Sequence, residues 1–304
     1  MHKYLWIVLL FLVSCTHLQR PTQREEYLAS TDAVPAAFTA VNIYGQLNVN
    51  LHTGSKSSFV QFQGSPQDLN DVRWSVQQGV LTVRRLTNSA HPAPVTLDIY
   101  SHYLSAFSYH GSGQISGKKL RTYGLKLDVD NHGSTMFDGD IGVNDLRLSG
   151  AGQMQVDGLS SQHLTLKLAG NANLNLKGKV ALADVRMQDN SRLSLYWVDS
   201  RVLTVRAKDS AKIQLAGVVD WMDVQLRGSA VFNGRYLRAT RAFVKTFDAA
   251  RADVFITARQ HTLASGKSNI YVFELPAMKT DFMAFQGSVL DLRGWSRWNY
   301  KEPS

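Results

Sequence analysis

The sequence predicts an all-β fold, a parallel β-helix with about 20 residues per coil, on three observations. Small residues recur at Gly113, Gly133, Gly152, Ala172, Ser191, Ala211, Ala230, Ala250, Ser268 and Ser288, in steps of 18 to 20 residues. Two and four residues after these corners stand apolar side chains, such as Met154 and Val156, Leu174 and Leu176, and Leu193 and Leu195. Leu290 and Leu292 hold the same places after the last corner. The residue between is polar in most coils: Gln155, Asn175, Ser194, Gln214, Asn233, Asp253 and Asp291. Six residues before the corners, Leu127, Leu146, Leu166, Val185, Val205, Val224 and Val244 make another apolar column. Alternation at period two gives a strand with one buried face, and a strand-rich repeat of this length is one coil of a stack. A helical repeat would place apolar residues at i, i+3, i+4 and i+7, and none of these coils does. The corners take Gly, Ala or Ser because a bulkier Cβ would meet the coil above or oppose a positive φ.

Along the chain, Met1-His2-Lys3 is a short basic start and Tyr4 to Val13 an unbroken apolar run. That run is too short to span a bilayer and suits the core of a signal peptide, residues 1–14. It ends in Leu12-Val13-Ser14-Cys15, which resembles a bacterial lipoprotein lipobox and implies lipid attachment at Cys15. Thr16, by resemblance to enterobacterial sorting rules, implies the outer membrane. Cys15 is the only cysteine, so an internal disulfide is excluded. Residues 15–35 are polar, with Pro21 and Pro35, and read as a flexible tether. One continuous body is expected over 36–300, with a short tail at 301–304. It opens with strand-like runs at Val41–Leu51, Phe59–Phe62, Val72–Val76, Val80–Arg84 and Val95–Tyr100, separated by turns such as Gly64-Ser65-Pro66. Near the end, Trp295, Trp298 and Tyr300, with Phe282 and Phe285, are expected to cap the open last coil or to form a docking patch.

The ordered runs "VNIYGQLNVNLHTG", "FVQFQG", "WSVQQGVLTVRR", "VTLDIY" and "LSAFSYHGSGQI" resemble the GIN domain, the head domain of proteins described as auto-transporter adhesins. The resemblance covers roughly Val41 to Phe232. It implies a right-handed β-helix on a bacterial envelope protein, and it supplies no catalytic residue.

The surface offers a sharper lead. Five residues before the corners stand Asp128, Arg147, Lys167, Arg186, Arg206, Gln225 and Lys245. Their neighbours belong to inward columns, so these side chains are expected outward, stacked one per coil about 4.8 Å apart. Like charges stacked in register repel. Arg147, Lys167, Arg186, Arg206 and Lys245 therefore read either as a strip for an anionic glycan or lipopolysaccharide, or as a solvated face that keeps the sheet from aggregating. The 33 basic against 24 acidic residues, a formal charge of +9, agree with an anionic partner. Nucleic acid is not expected, since no binding motif for it is present. Gln155, Asn175, Gln214 and Asn233 are expected to share amide hydrogen bonds along the stack.

Enzyme chemistry finds little purchase. Gly111-Ser112-Gly113 does not complete a dinucleotide loop, and no GxSxG elbow occurs. His110, His132 and His163 lack ligand spacing, and Asp128-Val-Asp130 and Asp138-Gly-Asp140 miss the EF-hand pattern. A polysaccharide lyase or hydrolase using Asp128, Asp130, Arg147 and Lys167 lacks a second aligned carboxylate. The expectation is thus a non-catalytic outer-membrane lipoprotein that binds glycans or other anionic polymers, without metal or cofactor. The alternatives are a scaffold for envelope or host proteins and, behind it, the polysaccharide-active enzyme.

Overall fold

The computed structural model describes residues 27–30, 34–86, 93–274 and 279–291. The N-terminal part comprises β1 (Tyr27–Leu28), β2 (Val34–Pro35), β3 (Ala40–Tyr44), β4 (Asn48–Thr53), β5 (Phe59–Gln63), α1 (Pro66–Leu69), β6 (Val72–Gln77), β7 (Val80–Arg85), β8 (Thr96–Ser101) and β9 (Ala106–Gly111). The solenoid proper is β10 (Ile115–Asn131), β11 (Ser134–Gly150), β12 (Gln153–Leu168), β13 (Asn173–Met187), β14 (Arg192–Ala207), β15 (Lys212–Leu226), β16 (Val231–Thr246) and β17 (Arg251–Ser265). It ends in β18 (Asn269–Glu274), β19 (Lys279–Phe285) and β20 (Ser288–Asp291).

From β10 to β17 every element pairs in parallel with the next, each step advancing one coil. The expected parallel β-solenoid is therefore the observed one, and its inward columns are those read from the sequence. Leu127, Leu146, Leu166, Val185, Val205, Val224 and Val244 are all buried, as are Met154, Leu174, Leu193, Ile213 and Phe232. One continuous apolar core runs along the axis, each layer packed only on its neighbours.

The corners from Gly152 to Ser268 are buried, Gly113 and Gly133 are partly so, and the glycine corners answer to one of the two reasons offered. Gly113, Gly133 and Gly152 lack positive φ. A Cβ on them would stand 2.2, 2.1 and 2.2 Å from the carbonyl oxygens of Leu47, Gly113 and Gly133 in the preceding coil. Close approach, not handedness, selects glycine there. Positive φ falls two residues earlier, at Gly150, Gly170, Asp189, Asp209, Gly228, Asp248 and Gly266. Aspartate tolerates the left-handed region, and here it also bonds down the stack. The carboxylates of Asp189, Asp209 and Asp248 accept from the backbone N–H groups of Gly170, Asp189 and Gly228, at 2.8, 3.2 and 2.8 Å.

A second turning point, absent from the sequence reading, lies six residues after each corner from Gly113 to Ala211. Gly139, Gly178 and Gly217 occupy it in the 19-residue coils, with φ of 146°, 143° and 136°. Lys119, Gly158 and Trp197 occupy it in the 20-residue coils, with φ of 54°, 83° and 70°. Two alternating ways of turning the same place thus accompany the alternation of 19 and 20 through the Ala211 coil, while Tyr236 and Ile256, at that place in the next two coils, take no positive φ.

Four expectations need correction or relocation. Register pairs Asn269 with Ser288, so the last corner is Gly287 rather than Ser288, and Leu290 points outward, 41% exposed. The amide ladder does not form: Gln155 donates to Asp157 at 2.9 Å, and Asn233 accepts from the Arg235 backbone. Two short strands fall within the segment read as a tether, β1 pairing with β6 and β2 with β5. Phe285 is 60% exposed rather than closing the last coil, and Cys15, Leu292, Trp295, Trp298 and Tyr300 lie outside the described residues, as does the side chain of Phe282.

The N-terminal end is built differently, by the antiparallel pairs β6–β7 and β5–β8 laid against parallel rungs. Tyr109 lies fully buried there, and its hydroxyl donates to the Leu47 carbonyl at 2.9 Å. Burial pushes the phenol pKa up to about 12, partly offset by that backbone bond. A raised tyrosine pKa contributes stability that is complete below the unfolded value near 10 and is lost as pH climbs towards 12. Stability is expected to fall by about 1.4 kcal/mol per pH unit over that interval from this group alone. Urea unfolding of wild type and Tyr109→Phe, compared at neutral pH and at pH near 11, checks this. The difference between the two proteins should shrink or invert at the higher pH.

Candidate functional site

The outward column holds its predicted register. Asp128 pairs with Arg147, Arg147 with Lys167, Lys167 with Arg186, Arg186 with Arg206, Arg206 with Gln225 and Gln225 with Lys245. Inward neighbours on both sides of each residue fix this orientation, and the arginine side chains are half exposed. Asp128 through Gln225 line one wall of a groove of about 720 Å³. Six strands at about 4.8 Å spacing make that wall about 24 Å long. The opposite wall is the column two residues further on: Ser149, Ala169, Gln188, Lys208 and Arg227. Its small members, Ser149 and Ala169, leave the groove open at one end. Lys245 lies beyond the groove and stacks over the Phe243 ring at 4.5 Å.

The stacked cations are not left to repel one another unaided. Two residues before them on the same strand face runs a column in which Asp145, Asp184 and Asp223 alternate with Thr165 and Thr204. Arg186 Nε donates to Asp184 at 2.8 Å, and Arg206 and Arg147 lie 3.8 and 3.7 Å from Asp184 and Asp145. Exposed pairs of this kind contribute about 0.2–1 kcal/mol each, enough to offset stacking repulsion but too little to hold the arginines rigidly. Lys167 makes no ion pair among the described residues and faces Arg186 in the next coil. Around the groove the cations of Arg147, Lys167, Arg186, Arg206, Lys208 and Arg227 outnumber the carboxylates of Asp128, Asp145, Asp184 and Asp223. The aspartate column was visible in the sequence at a spacing of two from the basic residues. It went unread because its threonines break the charge pattern.

The remaining candidates do not converge. Asp130 sits beside His132 in a shallow depression with Gly45, Gln46, Gly111 and Ser112, one coil along from His110. Asp138 and Asp140 flank Gly139 at the second corner, both exposed. Among the described residues, no three His, Cys, Asp or Glu side chains gather as metal ligands. No described helix is long and apolar enough to cross a membrane.

Comparison with known proteins gives a family and remote structural likenesses. No curated protein sequence matches the chain. An adhesin of Parabacteroides merdae, described as "putative", is 15% identical, covering 86% of this chain and 95% of its own, with a TM-score of 0.45. A second so described, from Parabacteroides distasonis, is also 15% identical, covering 88% and 98%, with a TM-score of 0.45. A "putative lipid binding protein" of Parabacteroides distasonis is 14% identical, covering 88% and 95%, with a TM-score of 0.39. At such scores nothing residue-specific is carried across. The profile of the family described as "Putative auto-transporter adhesin, head GIN domain" matches residues 37–194 and 166–276. Those overlapping matches span the N-terminal rungs and the coils that carry the groove, and by them the chain belongs to the GIN-domain family.

Proposed function

We propose that this chain is a lipid-anchored envelope protein, held to the outer membrane through Cys15, that binds a linear anionic polymer along its basic groove without chemical turnover. The observation that carries the reading is the in-register stack of Arg147, Lys167, Arg186 and Arg206 lining one open groove, where Lys167 has no ion pair among the described residues. A polymer lying along the axis meets one basic side chain per coil, so many weak contacts add up. The arginine forks suit carboxylate, sulfate or phosphate groups, and the half-exposed aspartate pairs are weak enough to exchange for them. An uronic-acid glycan and the phosphorylated part of lipopolysaccharide share this chemistry. The competing solvated-face reading is favoured by the Asp184 pairs, which already satisfy Arg186 and Arg206.

The test is binding of the chain to polygalacturonate and to lipopolysaccharide at two salt concentrations, beside a variant with Arg147, Lys167, Arg186 and Arg206 changed to Gln. At low salt the variant is expected to lose at least tenfold in affinity, about 1.4 kcal/mol, and wild-type binding should weaken as salt rises. Equal affinities for the two proteins would return the column to a solvated face. Palmitate labelling of cells expressing wild type and Cys15→Ser tests the anchor separately, and label is expected only on the wild type.

A further inference from the structure

Across the Asp184 column from the basic groove lies a second depression, of about 840 Å³. Its shape comes from one outward position. Leu164 and Leu182 are in register, so the residues before them, His163 and Ala181, are neighbours on the surface. Val202 and Trp221 are likewise in register, one and two coils further on. Ala181 is thus a gap between larger side chains, and with Ala183 and the exposed Val202 and Val218 it gives the depression an apolar lining.

Hydrogen-bonding groups ring that lining. Gln162, His163, Arg201 and Asp220 are all exposed and make no side-chain hydrogen bond or ion pair among the described residues. Of the other two carboxylates lining it, Asp199 is tied only to exposed Lys179 at 3.1 Å, and Asp184 is held by Arg186 at 2.8 Å. Carboxylates outnumber cations here, the reverse of the basic groove, so an anionic polymer is disfavoured. Exposed aromatic side chains concentrate on the same coils: Tyr196, Trp197 and Trp221 at 41, 72 and 42%, with Tyr236 at 68% on the next. Trp197 holds φ of 70° at a turning point that glycine fills in the coils on either side, a strained backbone for an indole. Its ring has no aromatic or cationic partner among the described residues.

An apolar lining, unspent donors and acceptors around it and aromatic side chains alongside match the two surfaces of a pyranose, a C–H face and a hydroxyl edge. We propose that this depression is a saccharide-binding site, separate from the basic groove, for an uncharged glycan segment. Ala181, Val202 and Val218 take the C–H faces, and Asp220, Arg201 and Gln162 take the hydroxyls. The inference stands independently of the anionic groove.

The full chain is titrated by calorimetry with a panel of uncharged oligosaccharides: maltohexaose, cellohexaose, mannohexaose and N-acetylchitohexaose. At least one is expected to bind with an affinity that does not depend on salt. Ala181→Phe, which fills the gap, and Asp220→Asn, which changes no volume, should each weaken it at least tenfold. Lys167→Gln should leave it unchanged, and thermal melts verify that the variants fold. Absence of binding across the panel overturns the proposal. So does binding that survives both Ala181→Phe and Asp220→Asn, or that falls with Lys167→Gln.

Discussion

Gly178→Ala is expected to destabilise the solenoid by on the order of 4 kcal/mol, the sum of a backbone penalty and an overlap of about 1–3 kcal/mol each. Gly178 holds φ of 143°, a conformation for which an L side chain has no low-energy form. The added Cβ would stand 1.9 Å from the carbonyl oxygen of Leu159, and a backbone atom inside a parallel ladder cannot swing aside as a side-chain tip can. Relief requires β12 and β13 to part at the second corner, and those strands are stacked on β11 and β14. The disturbance therefore passes along the axis by nearest-neighbour contacts. Urea midpoints for wild type and variant measure it. Gly228→Asp is the informative contrast. Gly228 also has positive φ, 68°, but Asp189, Asp209 and Asp248 already fill equivalent turns, and its Cβ would meet Asp209 only at 3.0 Å. A cost of about 1 kcal/mol is expected there, as befits aspartate in the left-handed region. Similar losses in the two variants would mean that Cβ clearance does not govern these turns.

That contrast also explains which parts of the fold were legible. Columns such as Leu146–Leu166–Val185–Val205 declare themselves because one physical demand, burial on a pleated strand, selects the same residue class in every coil. The second corner selects a conformation instead, and conformation is met by Gly139, Gly178 and Gly217 in one turn type but by Lys119 and Trp197 in the other. Glycine recurs at four of the six places, Gly158 included, but Lys119 and Trp197 interrupt the column, so the periodicity went unread. At the last coil two adjacent small residues, Gly287 and Ser288, compete for one place, and the spacing alone chose wrongly. The basic column was readable because its orientation follows from its inward neighbours. The depth of its groove was not, since depth depends on the opposite wall, where Ser149 and Ala169 are small for no reason that strand periodicity reveals. The second depression was hidden likewise, because it is defined by what Ala181 lacks.

The N-terminal end was least legible, since its pairings join segments far apart in sequence, and the contact holding it yields the other large prediction. Arg85→Ala is expected to cost about 3–5 kcal/mol, as removal of one partner from a buried ion pair does elsewhere. The Arg85 side chain is 1% exposed. Its guanidinium donates to Asp68 Oδ1 at 2.7 Å and to the carbonyls of Ala93 and Gln46 at 2.7 and 3.0 Å. One side chain thereby joins α1, the end of β7, the approach to β8 and the loop before β4. Without it the Asp68 carboxylate keeps the Ala93 N–H at 3.1 Å and the Ser65 hydroxyl, but loses its cation in a largely buried site. The two carbonyls lose a charged donor as well. Removing both charges with matched volume, Arg85→Met with Asp68→Leu, should recover most of the loss, because the desolvation cost disappears along with the attraction. Amide hydrogen exchange locates the effect. Protection should fall around residues 66–74 and 93–99, while β13 to β16, several coils away, keep theirs, as expected where each layer contacts only its neighbours. A loss below about 1 kcal/mol would identify the pair as effectively solvated. Loss of protection spreading evenly to β16 would show instead that the end cap and the coils unfold as one unit, with the cap acting as the lock on the whole stack.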